Sequence, residues 1–430
     1  MTTYSRRRML QLMGAAGLGA AGLAACAPTP EATAPLAADD PKANEKSFSF
    51  ASWTLNEEAG KPVVQGLLDT VSARDGLTID GISYPYNEYL NQLTLQVRGG
   101  ELVGAAQLDI AWLGALASLG KLRDLGPAAA GRGYTQTALT SGQYEGKQFG
   151  LPWTTGAIGL VSNKDLMDRA GIGAQPRSIE DFEAALVELK GLGNGVVPYA
   201  ASTKVAQLKD IMVWMQTFGC TLLDGDEVTI GDEASVDAVT WYKKLYDQKL
   251  IAPDVDRFDA RALFSQGRAA IYDDAIVGKG AVVADSPDKE LADKLDPIAR
   301  PIVSSGDTPQ ALLWGHVIVV IEGEAANTAT SFAQWMTSDD EATSAFFEKL
   351  ALPPTTERGL ASAAVASDPY TKAFGERVTA TASPSPFWKF PEYAQMETVV
   401  AEQVQAVLIG SASPADAMRT ARQGVQALIK

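Results

Sequence analysis

Short strand-like segments alternate with amphipathic helical segments in the first part of this chain, and this alternation restricts its fold more than any other feature. Strand-like patterns occupy residues 47–53, 77–82 and 108–113. Between them, apolar residues recur at helical spacing within 63–71 and 86–97. A strand–helix–strand–helix–strand order favours a mainly parallel sheet covered by helices. The sequence therefore predicts an α/β fold.

The alternation continues along the rest of the chain, with one well-marked helix start. Ser178 is followed three residues later by Asp181, which is typical of an N-cap that opens a helix, here over 178–192. At 430 residues the chain is too long for one ordinary core, so two lobes of roughly 200 residues each are expected. The other predicted elements are strands at 158–162, 269–272 and 316–321, and helices at 211–215, 236–246, 332–336, 346–350, 396–407 and 418–428.

Charge and residue counts disfavour several classes of protein. The chain has 36 basic and 52 acidic side chains, a formal net charge of −16 and a pI near 4.6. Nucleic-acid binding is disfavoured because phosphate backbones are bound by clustered Lys and Arg. One His and two Cys are too few for a disulfide scaffold, or for a zinc site of several imidazoles or four thiolates. The sequence thus predicts no metal, no cofactor and no nucleic-acid partner.

The N-terminus has the pattern of an export signal. Three consecutive arginines within Ser5–Leu10 precede a charge-free, Ala- and Gly-rich stretch. The small residues before Cys26 resemble a lipobox, the cleavage and acylation signal of bacterial lipoproteins. We therefore expect residues 1–25 to be a twin-arginine-type signal peptide, Cys26 to be lipidated, and 26–46 to be a flexible tether. The protein would then be extracytoplasmic and anchored by lipid to the outer face of the cell membrane.

Six segments of the chain, taken in order and spacing, carry a family resemblance. They are Asp109–Leu125, Tyr144–Trp153, Leu160–Met167, Pro176–Phe182, Phe264–Ile271 and Ser413–Ala417. Together they resemble the extracellular solute-binding proteins of ABC importers, in particular the maltose-binding-protein-like carbohydrate-binding family. Two positions depart from that pattern: Leu108 stands where the family usually has Pro, and 272–276 lacks the Gly and Trp of many relatives. These departures concern the ligand more than the fold.

The resemblance implies a two-lobed, type II periplasmic-binding-protein-like fold. Two hinge-linked α/β lobes would enclose a ligand cleft that closes on the solute. The N-terminal lobe would comprise 47–152 with about 310–352, and the C-terminal lobe 153–309 with about 353–430. The crossing segments would lie at 151–155, 308–313 and 352–355.

The eight tryptophans divide into two groups. Trp214, Trp241 and Trp335 fall within helical periods and are predicted to be core residues. The others fall at strand ends, at crossings or in a Pro-rich loop, and an indole in a cleft suits the C–H face and hydroxyls of a sugar. The resemblance places Trp53, Trp112 and Trp388 where the family lines its cleft. The aromatic candidates for ligand contact are Trp53, Tyr86, Trp112, Trp153, Trp314 and Trp388.

Polar candidates are carboxylates and amides, which can accept and donate hydrogen bonds to a neutral polyol. Asp273 and Asp274 also raise the idea of a glycosidase, but neighbours on an extended chain point to opposite faces. His316 is predicted to have a structural or ligand-contacting role, and Cys220 to be a small buried residue. The polar candidates are Asn56, Glu57, Asn87, Asp273 and Asp274.

The favoured hypothesis is a monomeric, lipid-anchored receptor, not an enzyme, that binds a sugar or oligosaccharide and delivers it to the permease of an ABC importer. One alternative within the binding proteins is a receptor for a charged solute such as a polyamine, whose cleft would be richer in Asp and Glu. An alternative from another class is a secreted carbohydrate-active enzyme, which would need a convergent pair of carboxylates.

Overall fold

The computed structural model describes residues 44–429, so the predicted signal peptide, Cys26 and almost all of the tether lie outside the described residues. The strands are β1 (Ser47–Ala51), β2 (Thr78–Ile82), β3 (Gly104–Asp109), β4 (Gln143–Tyr144), β5 (Lys147–Gln148), β6 (Gly150–Asn163), β7 (Val197–Ala200), β8 (Leu223–Asp224), β9 (Glu227–Val228), β10 (Ala269–Ala275), β11 (Leu295–Ile298), β12 (Ala311–Val320) and β13 (Ala382–Ser383).

The helices account for most of the rest. They are α1 (Lys61–Asp75), α2 (Tyr86–Gly99), α3 (Leu113–Ala117), α4 (Gly126–Ala129), α5 (Gln136–Ser141), α6 (Lys164–Arg169), α7 (Ile179–Gly191), α8 (Ile211–Thr217), α9 (Glu233–Asp247), α10 (Arg257–Ser265), α11 (Gly278–Ala284), α12 (Leu291–Lys294), α13 (Ala326–Ser338), α14 (Asp340–Leu350), α15 (Glu357–Leu360), α16 (Ala363–Ser367), α17 (Pro369–Arg377), α18 (Tyr393–Leu408) and α19 (Pro414–Gln426). Short 3-10 turns lie at Trp53–Asn56, Ile110–Trp112, Leu208–Asp210, Thr379–Thr381 and Pro386–Lys389.

Nine of the described strands form one mixed sheet, in the order β2-β1-β3-β12-β6-β10-β7, with β11 paired to β6 and β13 paired to β12. β1 pairs in parallel with both β2 and β3, and β10 pairs in parallel with β7. The α/β prediction is therefore confirmed, and so is the parallel pairing of the first three strands. The sheet as a whole is less parallel than predicted, because β6 and β12 run antiparallel to their principal neighbours.

Two long strands connect the two ends of this sheet. β12 pairs through its second half with β3, from His316 opposite Asp109 to Val320 opposite Ala105. β6 pairs at its start with β12 and at its end with β10. Where the two strands run beside each other, a side chain at Gly315 would meet the carbonyl oxygen of Thr154 at 2.5 Å, so the close approach requires glycine.

The buried apolar side chains fall into four clusters. Two of them draw on β1, β3, α1, α2, β12, α13 and α14, and the other two on the elements between β6 and β11 together with α17 to α19. Trp214, Trp241 and Trp335 lie in these clusters with at most 7% of their surface exposed, which confirms them as core residues. The exact lobe boundaries stay a prediction.

The predicted strand at 108–113 is wrong in position. β3 ends at Asp109, whose side chain accepts a hydrogen bond from the N–H of Ala111 and so opens a 3-10 turn. The start of β3, Gly104 to Gln107, has small or polar side chains, and these hid the strand from a search for apolar alternation. The predicted capping box of Ser178 and Asp181 is confirmed at the start of α7.

Cys220 is also where it was expected. It is 1% exposed, and burial raises the pKa of its thiol to about 11. At ordinary pH the sulfur is therefore a protonated, inert thiol. None of the described helices is long and apolar enough to cross a membrane.

Candidate functional site

Five ring side chains lie against one another at one edge of the sheet, and we call them the aromatic cluster: Trp53, Tyr86, Tyr89, Trp112 and His316. The turns that follow β1 and β3 carry the two tryptophans, and these strands are parallel neighbours, so their carboxyl ends meet at the same edge. The first turn of α2 adds the two tyrosines, and β12 adds His316.

Trp53 lies at the centre of the aromatic cluster. Its ring centroid is 5.5 Å from that of Trp112 and 4.7 Å from that of His316, both edge to face. It meets Tyr86 and Tyr89 in the same way, at 5.5 and 5.2 Å. Contacts of this kind stabilise by about 0.5–1.5 kcal/mol each beyond the burial of apolar area. The cluster is therefore a rigid surface rather than a set of independent side chains.

The cluster has a buried base and an accessible face. Trp53, Tyr89 and His316 are at most 7% exposed. Tyr86 is 43% exposed, Trp112 is half-buried, and their ring centroids lie 4.9 Å apart. Two adjacent rings are thus presented to solvent on a fixed support, which is an arrangement that binds the flat apolar face of a ligand.

Gln107 determines which ring nitrogen of His316 carries the proton. Its side-chain oxygen accepts hydrogen bonds from the hydroxyls of Ser52 and Thr54, so its NH₂ group is left to donate to Nδ1 of His316, 3.1 Å away. That assigns His316 as the neutral tautomer with its proton on Nε2. Burial lowers the pKa of His316 to about 3, so the ring carries no charge at neutral pH.

Asp109 holds Tyr86 in place. The Tyr86 hydroxyl donates to Oδ2 of Asp109 at 3.1 Å, and Oδ1 accepts from the N–H of Ala111 at 3.0 Å. Burial raises the pKa of Asp109, and the pKa of Tyr86 is raised well above its ordinary value by burial and by the Asp109 charge. The tyrosine ring is therefore accessible while its hydroxyl is fixed below.

Trp314 contacts the aromatic cluster, and Trp388 packs against the apolar core that contains Trp53. The ring of Trp314 lies 4.7 Å from that of His316, centroid to centroid. Trp388 is half-buried, and its Nε1 donates to Oε1 of Glu397 at 3.1 Å. Both Trp112 and Trp388 pack at once against the apolar core around Trp53 and the one around Trp214. These two indoles thus lie at the junction of two cores.

A second group of side chains consists of four carboxylate–cation pairs, and we call it the ion-pair cluster. Arg300 lies 2.5 Å from Asp273, and Arg261 binds both oxygens of Asp274 at 2.6 and 2.8 Å. The remaining pairs are Arg257 with Asp210 at 2.7 Å and Lys209 with Glu397 at 3.1 Å. All four carboxylates are buried, so each pair neutralises a charge that would otherwise be costly.

The charges of the ion-pair cluster act on residues of the aromatic cluster and its supports. Arg257 acts on Tyr86, and both Lys209 and Glu397 act on Asp109. The carboxyl group of Glu57 is partly withdrawn from water, which raises its pKa, and the positive charge of Arg261 opposes that shift. Charges of the ion-pair cluster are therefore felt at Tyr86 and Asp109 of the aromatic side and at Glu57.

The structure brings most of the predicted site residues together, but not all. Trp153 is 1% exposed and stacks on Phe346 with centroids 4.2 Å apart, inside a core. Asn56 and Glu57 lie at the end of the turn that carries Trp53, and Asn87 lies beside Tyr86 in the first turn of α2; all three residues are exposed. Asp273 and Asp274 have different partners, as expected for neighbours on a strand, and neither carboxylate is free to act with the other.

Sequence reasoning missed several residues of the site. Tyr89 was assigned to a helix face only, and Lys209, Arg257 and Glu397 carried no signal at all. Arg257 and Arg261 are four residues apart and so share one face of α10, a spacing that would have drawn attention to them. Lys209 and Glu397 are 188 positions apart, and only the fold pairs them.

Two surface cavities lie apart from the aromatic cluster and the ion-pair cluster. One, of about 470 Å³, is lined by residues between Asp124 and Gln148, and the other, of about 550 Å³, by residues of α19 and Ala427. Neither contains a residue of either cluster. Within residues 44–429 no group of three or more His, Cys, Asp or Glu side chains is arranged to hold a metal ion.

Comparison with solved structures identifies the fold. The GacH receptor of Streptomyces glaucescens, described unliganded and with acarbose, superposes with a TM-score of 0.79 at 23% identity, over 89% of this chain and 98% of that one. T. maritima MalE3 with maltose gives 0.76 at 19%, over 89% and 99%. The Thermus thermophilus maltotriose-binding protein with maltotriose gives 0.74 at 17%, over 90% and 100%. The predicted two-lobed periplasmic-binding-protein fold is confirmed.

Sequence comparison points the same way. A binding protein of Brucella abortus (strain 2308) is 25% identical over 206 residues, which are 46% of this chain and 50% of that protein, so the chain spans about half the length of the curated relatives it matches. The model of the family "Bacterial extracellular solute-binding protein" matches residues 66–373, well over half of the chain. This chain therefore belongs to the bacterial extracellular solute-binding protein family.

Proposed function

We propose that this protein binds a sugar or oligosaccharide between the aromatic cluster and the ion-pair cluster and delivers it to the permease of an ABC importer. The observation that carries the proposal is the pair of accessible rings, Tyr86 and Trp112, fixed on the buried base of Trp53 and His316. A saccharide has an apolar C–H face that such rings cover, with hydroxyls at its rim for hydrogen bonds.

The charges of the site favour a neutral solute over a polyamine. Each carboxylate of the ion-pair cluster already has a cation within 3.1 Å. Among residues 44–429 the other buried carboxylate is that of Asp109, which accepts hydrogen bonds from Tyr86 and Ala111. A polycation would have to displace these partners and leave buried arginines without a counter-charge, which is strongly unfavourable.

The mechanism follows from the two-lobed fold. A solute that touches both clusters at once stabilises the closed arrangement of the lobes, and only such a difference in affinity between open and closed states shifts their populations. The lobe boundaries and the crossings at 151–155, 308–313 and 352–355 are taken as proposed from the sequence; the first crossing lies in β6 and the second runs into β12. The closed form would then dock on the permease.

The family is extracytoplasmic, and we propose that this member is held at the membrane by lipid at Cys26 after removal of residues 1–25. The Pro-rich tether to residue 46 would let the folded part reach a permease in the same membrane. The relatives are binding proteins, and we propose that this chain likewise has no catalytic activity.

The test is a panel of oligosaccharides and polyamines, read by thermal shift and intrinsic tryptophan fluorescence of the protein. A sugar should raise the melting temperature, because a ligand of the native state stabilises it. Tyr86→Ala should weaken binding about tenfold or more, while Val187→Ala, which removes a 52% exposed apolar side chain on α7 that belongs to neither cluster, should not.

Other outcomes would replace the proposal. A response to polyamines with none to any sugar would identify a receptor for charged solutes. Turnover of a glycan in proportion to protein concentration would identify an enzyme. Equal affinities of Tyr86→Ala and the native protein would show that the aromatic cluster is not the ligand surface.

A further inference from the structure

A short turn carries Trp388, and the residue before Trp388 in that turn is anchored in the core. The turn Pro386–Lys389 is opened by Ser385, and Phe387 within it is fully buried. Trp388 is half-buried and packs against two apolar cores at once. Anchoring at Phe387 fixes where the turn lies, but it does not fix the rotation of the Trp388 ring.

A buried carboxylate provides that missing constraint. Glu397 is 5% exposed, lies on α18, and accepts a hydrogen bond from the indole N–H of Trp388 at 3.1 Å. A charged acceptor makes this bond stronger than one between neutral groups. Burying a carboxylate beside an indole alone would be costly, so Glu397 needs a counter-charge.

Lys209 supplies the counter-charge. Its Nζ lies 3.1 Å from Oε2 of Glu397, so each oxygen of the carboxylate has a different partner. Burial lowers the pKa of Lys209, but the charges of Glu397 and Asp210 outweigh that effect and raise it. The lysine stays charged at neutral pH, and the carboxylate is held between it and the indole.

We propose that Glu397 and Lys209 are positioning residues for solute binding: they fix the orientation of the Trp388 ring and thereby tune the affinity of the site. This rests on the proposed function, because it takes Trp388 to be a ligand-contacting ring. Neither residue needs to touch the solute. The effect of Glu397 on affinity is exerted through the indole N–H.

A double-mutant cycle tests this with any sugar that the native protein binds. Glu397→Leu should weaken binding about tenfold, the order of one buried hydrogen bond. Glu397→Gln keeps an acceptor and should stay within about threefold of the native affinity. Trp388→Phe replaces the indole with a smaller aromatic ring that has no N–H, so adding Glu397→Leu to it should cause little further loss. If the losses of affinity in Glu397→Leu and Trp388→Phe multiply in the double variant, the proposal is overturned. It is also overturned if Glu397→Gln loses as much affinity as Glu397→Leu.

A measurement without any sugar distinguishes this proposal from the proposed function. In a ¹⁵N-tryptophan spectrum, the Trp388 indole resonance is the one that disappears in Trp388→Phe. The indole N–H of Trp388 should exchange slowly in the native protein and in Glu397→Gln, and faster in Lys209→Met. The Lys209→Met variant also replaces Glu397→Leu in this test if Glu397→Leu fails to fold. Equal exchange in all variants would overturn the positioning role. If no sugar binds the native protein, the proposed function fails while the exchange result still decides how Trp388 is held.

Discussion

The aromatic cluster and the ion-pair cluster are both buried at their base, but they are held by different forces. The aromatic cluster is built on neutral contacts: edge-to-face rings, a neutral His316 and the hydrogen bonds of Gln107. The ion-pair cluster is built on full charges, with Asp273 and Asp274 each paired to an arginine. The aromatic cluster can therefore present an accessible apolar face, whereas the ion-pair cluster must keep every charge matched.

The largest expected effect comes from breaking a pair in the ion-pair cluster. Asp273→Ala leaves the Arg300 guanidinium, 4% exposed, without its carboxylate. We expect the free energy of unfolding to fall by about 3–5 kcal/mol in urea denaturation. Asp416→Ala is the control on the surface, because its partner Arg419 is exposed, and it should cost far less stability. Equal, small losses in both variants would show that burial gives the first pair no special weight.

Trp53 and Trp112 distinguish the base of the aromatic cluster from its face. Trp53 is 3% exposed, so Trp53→Ala should lower the free energy of unfolding by about 3–5 kcal/mol as well as weaken sugar binding. Trp112 is half-buried, so Trp112→Ala should weaken binding with a clearly smaller loss of stability. Chemical denaturation and calorimetric titration measure the two quantities. The division of the cluster into base and face fails if both variants lose the same stability.

His316 makes the aromatic cluster sensitive to acid. Its folded pKa of about 3 is below the unfolded value near 6.5, so its contribution is present above about pH 6.5 and is lost as the pH falls toward 3. The loss attributable to this group near pH 4.5 is about 3 kcal/mol relative to pH 8. His316→Gln should remove that part of the profile, measured as the difference in stability between variant and native protein across pH. If stability changes with pH in the same way in His316→Gln and in the native protein, His316 is not a neutral, buried group.

The smallest expected effect tests the contact between α3 and the turn that carries Trp388. A side chain at Gly114 would come within 2.7 Å of the carbonyl oxygen of Trp388 and 3.1 Å of the Tyr144 ring. Gly114→Ala should therefore cost about 1–3 kcal/mol. Gly66→Ala, also on a helix but with nothing within 4 Å, should be neutral or stabilise by up to about 1 kcal/mol. Thermal unfolding of the two variants gives the comparison, and similar changes would show that the contact carries no strain.

Much of the fold was predictable from local pattern. Periodic segments predicted the positions of α1, α2, α7, α9, α18 and the core tryptophans, because helices bury one face at a fixed spacing. β3 was misplaced because its side chains are small or polar and its burial comes from neighbours on both sides. β10 extends to Asp273 and Asp274, residues that disfavour strands, because arginines from elsewhere in the chain neutralise them.

The residues of the candidate site were likewise predictable only in part. The tryptophans outside helical periods were recognisable as candidates; Trp53 and Trp314 both contact the ring of His316, and Trp112 and Trp388 lie at the junction of two cores. Trp153 carries the same local signal and lies in a core instead. A strand-end position does not say which way a side chain points, because a single residue's face depends on where the strand begins.

The sequence by itself determined the class of fold, the order of most elements and the aromatic character of the site, because these follow from periodicity and residue type along short segments. Only the tertiary structure decided which charges meet. Lys209 and Glu397, or Asp273 and Arg300, are paired by the packing of distant elements, and electrostatic energy depends on distance and burial rather than on position in the chain. The same packing left Tyr86 and Trp112 accessible and hid Trp53 beneath them.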